Sequence, residues 1–96
     1  MNTIIGESIR GKNVLELRYR GYSRFVEPHA YGRDKGGDEI LRCFQTSGGS
    51  ASGESIGWKL LKVRDVFSLH RTKEELTQRP DYRRNDRAMV YVFFQL

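Results

Sequence analysis

The side chains best suited to chemistry in this 96-residue sequence are cations and aromatic rings that lie close together along the chain. Residues 10–24 and 58–73 each hold five basic residues against one acidic residue, and residues 79–87 hold four against two. Aromatic residues in or beside these segments include Tyr19, Tyr22, Tyr31, Trp58 and Tyr82. Because cations bind phosphates and flat rings stack on bases, this combination suits a nucleotide or a single nucleic-acid strand. The alternative is a solvated charged surface over a core that uses aromatic residues.

Catalytic and metal-binding patterns are weak in this sequence. His29 and His70 lie 41 positions apart without a ligand-spaced companion, which argues against a metal site. Cys43 has apolar neighbours in a predicted strand, which favours an inert buried thiol over a nucleophile. No serine has the setting of a nucleophile elbow. We therefore expect no enzyme, no catalytic residues, no metal and no cofactor. A small hydrolase is a weaker hypothesis, because no group of residues in the sequence supports it.

Size and composition predict one domain over residues 1–96. The chain has a mass of 11.2 kDa and is 38% hydrophobic, enough for one compact core. The net charge of +5 favours a polyanionic partner without requiring one. A single cysteine excludes an intrachain disulfide. No apolar run reaches the roughly 18 residues of a membrane span, and the start lacks signal-peptide features. We expect a cytoplasmic protein without a membrane partner.

Hydrophobic periodicity predicts a short N-terminal helix followed by strands. Thr3 is the predicted helix cap, Ile4, Ile5 and Ile9 share one side, and Gly11 ends the helix. Alternation and turn residues then predict strands over residues 14–20, 24–31, 39–45, 58–62, 65–70 and 89–96. Strands of this length and spacing predict a mainly β, small α+β fold with a strongly bent antiparallel sheet or partly open barrel.

Three local features refine this prediction. Pro28 has no backbone donor, so it fits a strand edge or a bulge. Thr72 and Glu75 match a capping box, which predicts a one-turn helix. The last strand is apolar on both sides, which is typical of a central or enclosed strand.

Three segments carry a family resemblance, of which the first is the opening, an isoleucine-bearing helix followed by residues 14–19. Residues 26–32, Val-Glu-Pro-His-Ala-Tyr-Gly, and residues 58–66, Trp-Lys-Leu-Leu-Lys-Val-Arg-Asp-Val, are similar to strand motifs of the WYL domain family. These domains are sensor modules of bacterial transcriptional regulators and defence proteins. Lys59 and Lys62 stand where the family has arginines, and only Leu41 remains of the name-giving triplet. The chain resembles a divergent, stand-alone member over residues 4–69.

The resemblance implies an SH3- or Sm-like barrel that senses an anionic ligand. That ligand would be single-stranded nucleic acid or a nucleotide-type signal, and the setting would be bacterial transcriptional regulation or phage defence. The alternative is a protein–protein interaction module without nucleic-acid binding. It would form a homodimer or dock on a larger partner as an accessory subunit, through a sheet edge or the terminal strand.

Four basic residues are candidate contacts for an anion: Arg18, Arg42, Lys59 and Lys62. Lys59 and Lys62 are the first choice through the resemblance, with solvated strand charges as the alternative. Arg42 lies on the face of Ile40 and Phe44, so it needs a carboxylate or a ligand phosphate as partner. Arg18 lies on the polar face of the first strand and is either a contact or plainly exposed.

Candidate stacking residues are His29, Tyr31 and Trp58. His29 and Tyr31 are predicted to share one face of the second strand, where they either stack on a base or pack within the fold. Trp58 is either a core anchor or a stacking platform. A secondary basic cluster in a predicted loop comprises Arg79, Tyr82, Arg83, Arg84 and Arg87. The glycine-serine loop at residues 48–53 lacks the ending of a phosphate-binding loop and favours a plain hairpin connection.

Overall fold

The computed structural model describes all 96 residues, and it opens with a nine-residue helix, α1, at Thr3–Gly11. The side chain of Asn2 caps this helix by accepting a hydrogen bond from the backbone N–H of Ile5 at 3.1 Å. The helix is therefore confirmed, but the assignment of Thr3 as its cap is wrong. Asn2 has the extended backbone that a capping residue requires. This helix is too short to span a membrane.

Six strands follow the helix in an open antiparallel sheet. Their bounds are β1 Asn13–Tyr19, β2 Tyr22–Arg33, β3 Glu39–Gly48, β4 Gly57–Lys62, β5 Val66–Glu75 and β6 Tyr91–Gln95. The order is β4-β3-β2-β1-β5, and β6 pairs with the second half of β2, beyond the end of β1. A short 3-10 turn, Val63–Asp65, joins β4 to β5. The mainly β, small α+β class is confirmed, and the sheet does not close into a barrel.

A bulge at His29 interrupts the pairing of β2 with β3. Pro28 pairs with Cys43 and Ala30 pairs with Arg42, so His29 is an extra residue without an opposite partner. This confirms the bulge predicted from Pro28. A bulge shifts the inward and outward alternation of a strand by one residue.

The shifted alternation separates Tyr31 from His29. Tyr31 points into the main core beside Leu41, whereas the His29 ring lies on the opposite face of the sheet against Trp58. The prediction that His29 and Tyr31 share a face is therefore wrong.

Two hydrophobic cores lie on opposite faces of the sheet. The main core lies between α1 and the sheet and is built from Ile5, Ile9, Leu15, Leu17, Tyr19, Val26, Tyr31, Leu41, Cys43 and Leu61. The smaller core on the other face contains Ala30, Ile40 and Met89. Residues 76–90, which we call the strap, run without regular structure between β5 and β6 and cover this second core.

Two further predictions need correction. The capping box at Thr72 and Glu75 forms no helix, because β5 continues to Glu75 and the Thr72 hydroxyl donates instead to the Val14 carbonyl at 2.7 Å. The last strand is shorter than predicted and pairs with β2 alone, so it is not central. Its two apolar sides have another cause: Phe94 packs on the main core and Val92 on the smaller one.

Candidate ligand-binding groove

Two buried acceptors on β2, Glu27 and His29, attach the strap to the sheet. One carboxylate oxygen of Glu27 accepts from the backbone N–H of Thr77 at 2.8 Å. The other accepts from the Arg79 guanidinium at 2.7 Å. Glu27 is only 3% exposed, so this ion pair lies largely out of water. The start of the strap is therefore fixed by a charge-assisted contact rather than by apolar packing alone.

His29 makes the second attachment, and its contacts define its protonation state. Nδ1 lies 2.8 Å from the Glu27 carbonyl, which can only accept, so Nδ1 carries the proton. Nε2 accepts from the backbone N–H of Arg79 at 3.1 Å, so it carries none. Burial lowers the pKa of His29, which agrees with this neutral form.

The far end of the strap is held by Arg42 and Asp86. The Arg42 Nε donates to Asp86 Oδ2 at 2.6 Å, and Asp86 Oδ1 accepts from the backbone N–H of Ala88 at 2.9 Å. Burial alone raises the pKa of Asp86, but the Arg42 contact leaves it below its ordinary value. Asn85 and Gln95 add a pair of hydrogen bonds between the strap and β6. The partner of Arg42 is thus a carboxylate of the chain itself.

Four aromatic rings pack where the strap crosses the start of β4. The His29 centroid lies 4.8 Å from Trp58 and 5.0 Å from Tyr82, both edge to face. Phe44 meets Trp58 at 5.5 Å and 89°. Trp58 Nε1 donates to Asp81 Oδ2 at 2.9 Å, which fixes the indole against the strap. The two rings nearest the surface, Trp58 and Tyr82, are tilted by only 32° with centroids 6.3 Å apart.

A groove of about 870 Å³ opens between the strap, Trp58 and Arg42. Its lining residues are Arg42, Trp58, Asp81, Tyr82, Arg83, Arg84, Asn85, Asp86 and Arg87. No aliphatic side chain lines it. Arg83, Arg84 and Arg87 are exposed and form no ion pair, in contrast to Arg42. The groove therefore presents three free guanidinium groups beside two aromatic rings.

The cations of the first two basic segments that we predicted as anion contacts have partners outside the groove. Lys62 Nζ contacts Asp38 at 2.9 Å and Asp34 at 3.1 Å, and these carboxylates raise the pKa of Lys62. Lys59 donates to the Glu54 carbonyl and to Ser50 in the glycine-serine loop. Neither lysine lines the groove.

Arg18 also lies outside the groove. It is exposed and donates to the Gly21 carbonyl at 3.3 Å within its own hairpin turn. Trp58 comes from the second basic segment, but every arginine of the groove except Arg42 comes from residues 79–87. The fold does not gather the three basic segments into one site.

Three other predicted residues are occupied by internal contacts. Tyr31 is fully buried, and its hydroxyl accepts from the Asn2 backbone at 2.6 Å and donates to Glu39. Burial raises the pKa of Tyr31 to about 12. His29 is equally buried, so neither ring presents a face to a ligand. Arg79 stacks over Phe44 at 4.0 Å while it pairs with Glu27, and it supports the strap rather than lining the groove.

Sequence reasoning missed four residues of this region: Glu27, Asp81, Asn85 and Asp86. Glu27 had a usable signal, because it lies between the apolar Val26 and Pro28 in a predicted strand, where a buried carboxylate requires a cation or several donors. Asp81 and Asp86 had a weaker signal, as isolated acids inside a basic segment. Their partners are 23 and 44 residues away along the chain, at distances that local patterns do not encode.

Comparisons of the chain with protein-family models, curated proteins and solved structures found no match. The resemblance to WYL domains thus stays a hypothesis. No three His, Cys, Asp or Glu side chains are grouped in a way that could hold a metal ion.

Proposed function

We propose that the groove beneath the strap binds a phosphate-bearing anion and that the protein acts as a ligand-sensing module. The observation that carries this proposal is the set of three exposed, unpaired arginines beside Trp58 and Tyr82 in one groove. The ligand class is single-stranded nucleic acid or a nucleotide-type signal. The WYL resemblance adds the setting, bacterial transcriptional regulation or phage defence, as part of the proposal.

The contrast among cations supports the choice of the groove. Lys62, Arg42 and Arg79 each contact a carboxylate of the chain, which satisfies their charge without a ligand. The groove arginines have no such partner. A guanidinium presents a planar fork of donors that matches a phosphate in two hydrogen bonds, so free arginines suit this ligand better than lysines do.

Preorganisation of the strap also supports binding. Glu27 and His29 fix the strap at its start, and Arg42 fixes it near its end. The backbone that carries the three arginines is therefore already ordered, and binding has to order only their side chains. This lowers the entropic cost of association.

The test replaces the three groove arginines and compares the result with a matched loss of charge elsewhere. One variant carries Arg83→Ala, Arg84→Ala and Arg87→Ala. The control carries three alanines at exposed basic residues outside the groove: Arg10, Lys35 and Lys73. Both variants lose three positive charges from the net +5. Binding of a labelled short oligothymidylate is measured by fluorescence anisotropy.

We expect the groove variant to lose at least tenfold in affinity, since each lost charge-assisted contact contributes about 1.5–3 kcal/mol. The control should lose far less, because its charges act only through the long-range field. Equal losses in the two variants would mean that net charge, not the groove, attracts the strand. Absence of binding by the unaltered protein would overturn the proposal.

One observation favours the alternative, a protein–protein interaction module. The strand β6 pairs with β2 on one edge only, and Val90 and Tyr91 at its start are 69% and 61% exposed. A free edge with exposed apolar residues can pair with a second copy or a larger partner. Light scattering over a range of concentrations tests this directly. A mass that rises from 11.2 kDa to twice that value supports it, and a constant monomer mass contradicts the homodimer.

A further inference from the structure

We infer that the groove reads an unpaired base, so that its ligand is a single-stranded nucleic acid or a nucleotide rather than an inorganic polyphosphate or a duplex. This inference rests on the proposed function and names the part of the ligand that the aromatic residues contact. Trp58 and Tyr82 are the stacking platform. The three free arginines follow Tyr82 along the strap and lie where the phosphates of the same strand would run.

The orientation of the two rings is the first argument. Trp58 and Tyr82 differ by 32°, whereas the buried aromatic contacts around them differ by 62–89°. Perpendicular packing uses the faces of rings inside a core. Trp58 and Tyr82 are instead tilted by 32°, and both residues are half-buried and line the groove, so part of each ring is open to a ligand. A base has a flat face of matching shape, and stacking on such rings tolerates any base.

The rigidity of the platform is the second argument. The Trp58 indole is held by its hydrogen bond to Asp81 and by edge-to-face contacts with His29 and Phe44. Tyr82 is held by its backbone bond to the Arg79 carbonyl at 3.0 Å and by contact with His29. Rings that are already fixed lose little conformational entropy when a ligand stacks on them.

The composition of the groove is the third argument. Small-molecule pockets are lined mainly by apolar side chains, but this groove has two aromatic rings and no aliphatic residue. A cation could also bind to aromatic faces. It is disfavoured here because the arginines outnumber the acids among the lining residues, at four against two. A duplex keeps its bases inside, so it can use the arginines but not the rings.

Trp58 is the only tryptophan of the chain, and its emission therefore reports directly on this platform. We would titrate the protein with oligothymidylate, with the same strand paired to oligoadenylate, and with tripolyphosphate. The single strand should quench Trp58 as a base stacks on it. The duplex and tripolyphosphate should leave the emission unchanged, even where they compete for the arginines.

Two variants of Tyr82 supply a matched pair. Tyr82→Phe keeps the ring and should keep the affinity for oligothymidylate. Tyr82→Leu removes the ring and should lower that affinity about tenfold, within the range measured for the loss of one stacked base. Melting curves establish that both variants fold. The fluorescence comparison of the three ligands needs no variant and remains decisive if Tyr82→Leu does not fold.

The outcomes separate this inference from the proposed function. Binding of oligothymidylate without quenching, or equal affinity of the two Tyr82 variants, overturns base stacking and leaves the anion site in place. Quenching by the duplex to the same extent as by the single strand also overturns it. If none of the three ligands binds, the proposed function fails together with the inference.

Discussion

Removal of Glu27 should detach the strap, because this residue accepts hydrogen bonds from Thr77 and Arg79 on its two carboxylate oxygens. Breaking a buried ion pair by deleting one partner costs about 3–5 kcal/mol. The Arg79 side chain is 29% exposed, so water would solvate part of its charge once Glu27 is lost. We therefore expect Glu27→Ala to lower the free energy of unfolding by about 2–3 kcal/mol. In a domain of this size that corresponds to a melting temperature lower by about 10–20 °C.

The assay is thermal unfolding followed by circular dichroism, with Trp58 fluorescence as a local probe of the strap. The melting temperature of Glu27→Gln should lie between those of the unaltered protein and Glu27→Ala, since glutamine keeps one acceptor oxygen but loses the charge. Arg64→Met is the control, because the side chain of Arg64 is 66% exposed and loss of its ion pair with Asp38 should change the melting temperature little. Glu27→Ala should also weaken oligothymidylate binding, although Glu27 does not line the groove. A melting temperature equal to that of the unaltered protein would show that the Glu27 contacts do not hold the strap.

Three further predictions concern single residues. Burial lowers the pKa of His29, so the unfolded chain takes up a proton first as the pH falls below about 6.5. The stability that His29 contributes should therefore be present above that pH and decline below it. The urea midpoint of His29→Gln should then vary less with pH than that of the unaltered protein. An equal pH dependence in both proteins would contradict the assignment of His29 as a buried neutral group. Tyr82→Phe should raise the free energy of unfolding by about 1 kcal/mol, because the Tyr82 hydroxyl is buried without a hydrogen-bond partner; a clear loss of stability would mean that the hydroxyl has a partner in solution. Burial raises the pKa of the Cys43 thiol to about 12, so a thiol reagent should modify it only after unfolding, and rapid labelling of the native protein would contradict this.

Local sequence patterns predicted the strands well because their signals are short-range. The alternation of Leu15, Leu17 and Tyr19 with polar residues gave β1 its buried face, and all three are buried in the main core. Pro28 marked the bulge, since a residue without a backbone donor breaks the ladder. The capping box at Thr72 was overridden because β5 pairs with β1 up to Glu75 and the Thr72 hydroxyl donates to the Val14 carbonyl instead of capping a helix.

The candidate site was less predictable, because it depends on contacts between distant segments. Arg42 visibly needed a partner, but its two candidates, a carboxylate or a phosphate, were equivalent until the fold placed Asp86 beside it. Lys62 stands at an arginine position of the WYL resemblance. In the fold, however, its ammonium group pairs with Asp34 and Asp38 of a neighbouring turn. The arginines of residues 79–87 were visible as a cluster. Only the geometry of the strap shows that Arg79 supports the strap, whereas the other three arginines line the groove.

The salt dependence of oligothymidylate binding tests the central claim most directly. If the three free arginines of the groove each neutralise one phosphate, the logarithm of the binding constant should fall linearly with the logarithm of salt concentration, with a slope of about −2. The variant that lacks Arg83, Arg84 and Arg87 should then give a slope near zero. A strand that does not bind at low salt, or a slope that these substitutions leave unchanged, would contradict the groove as the anion site.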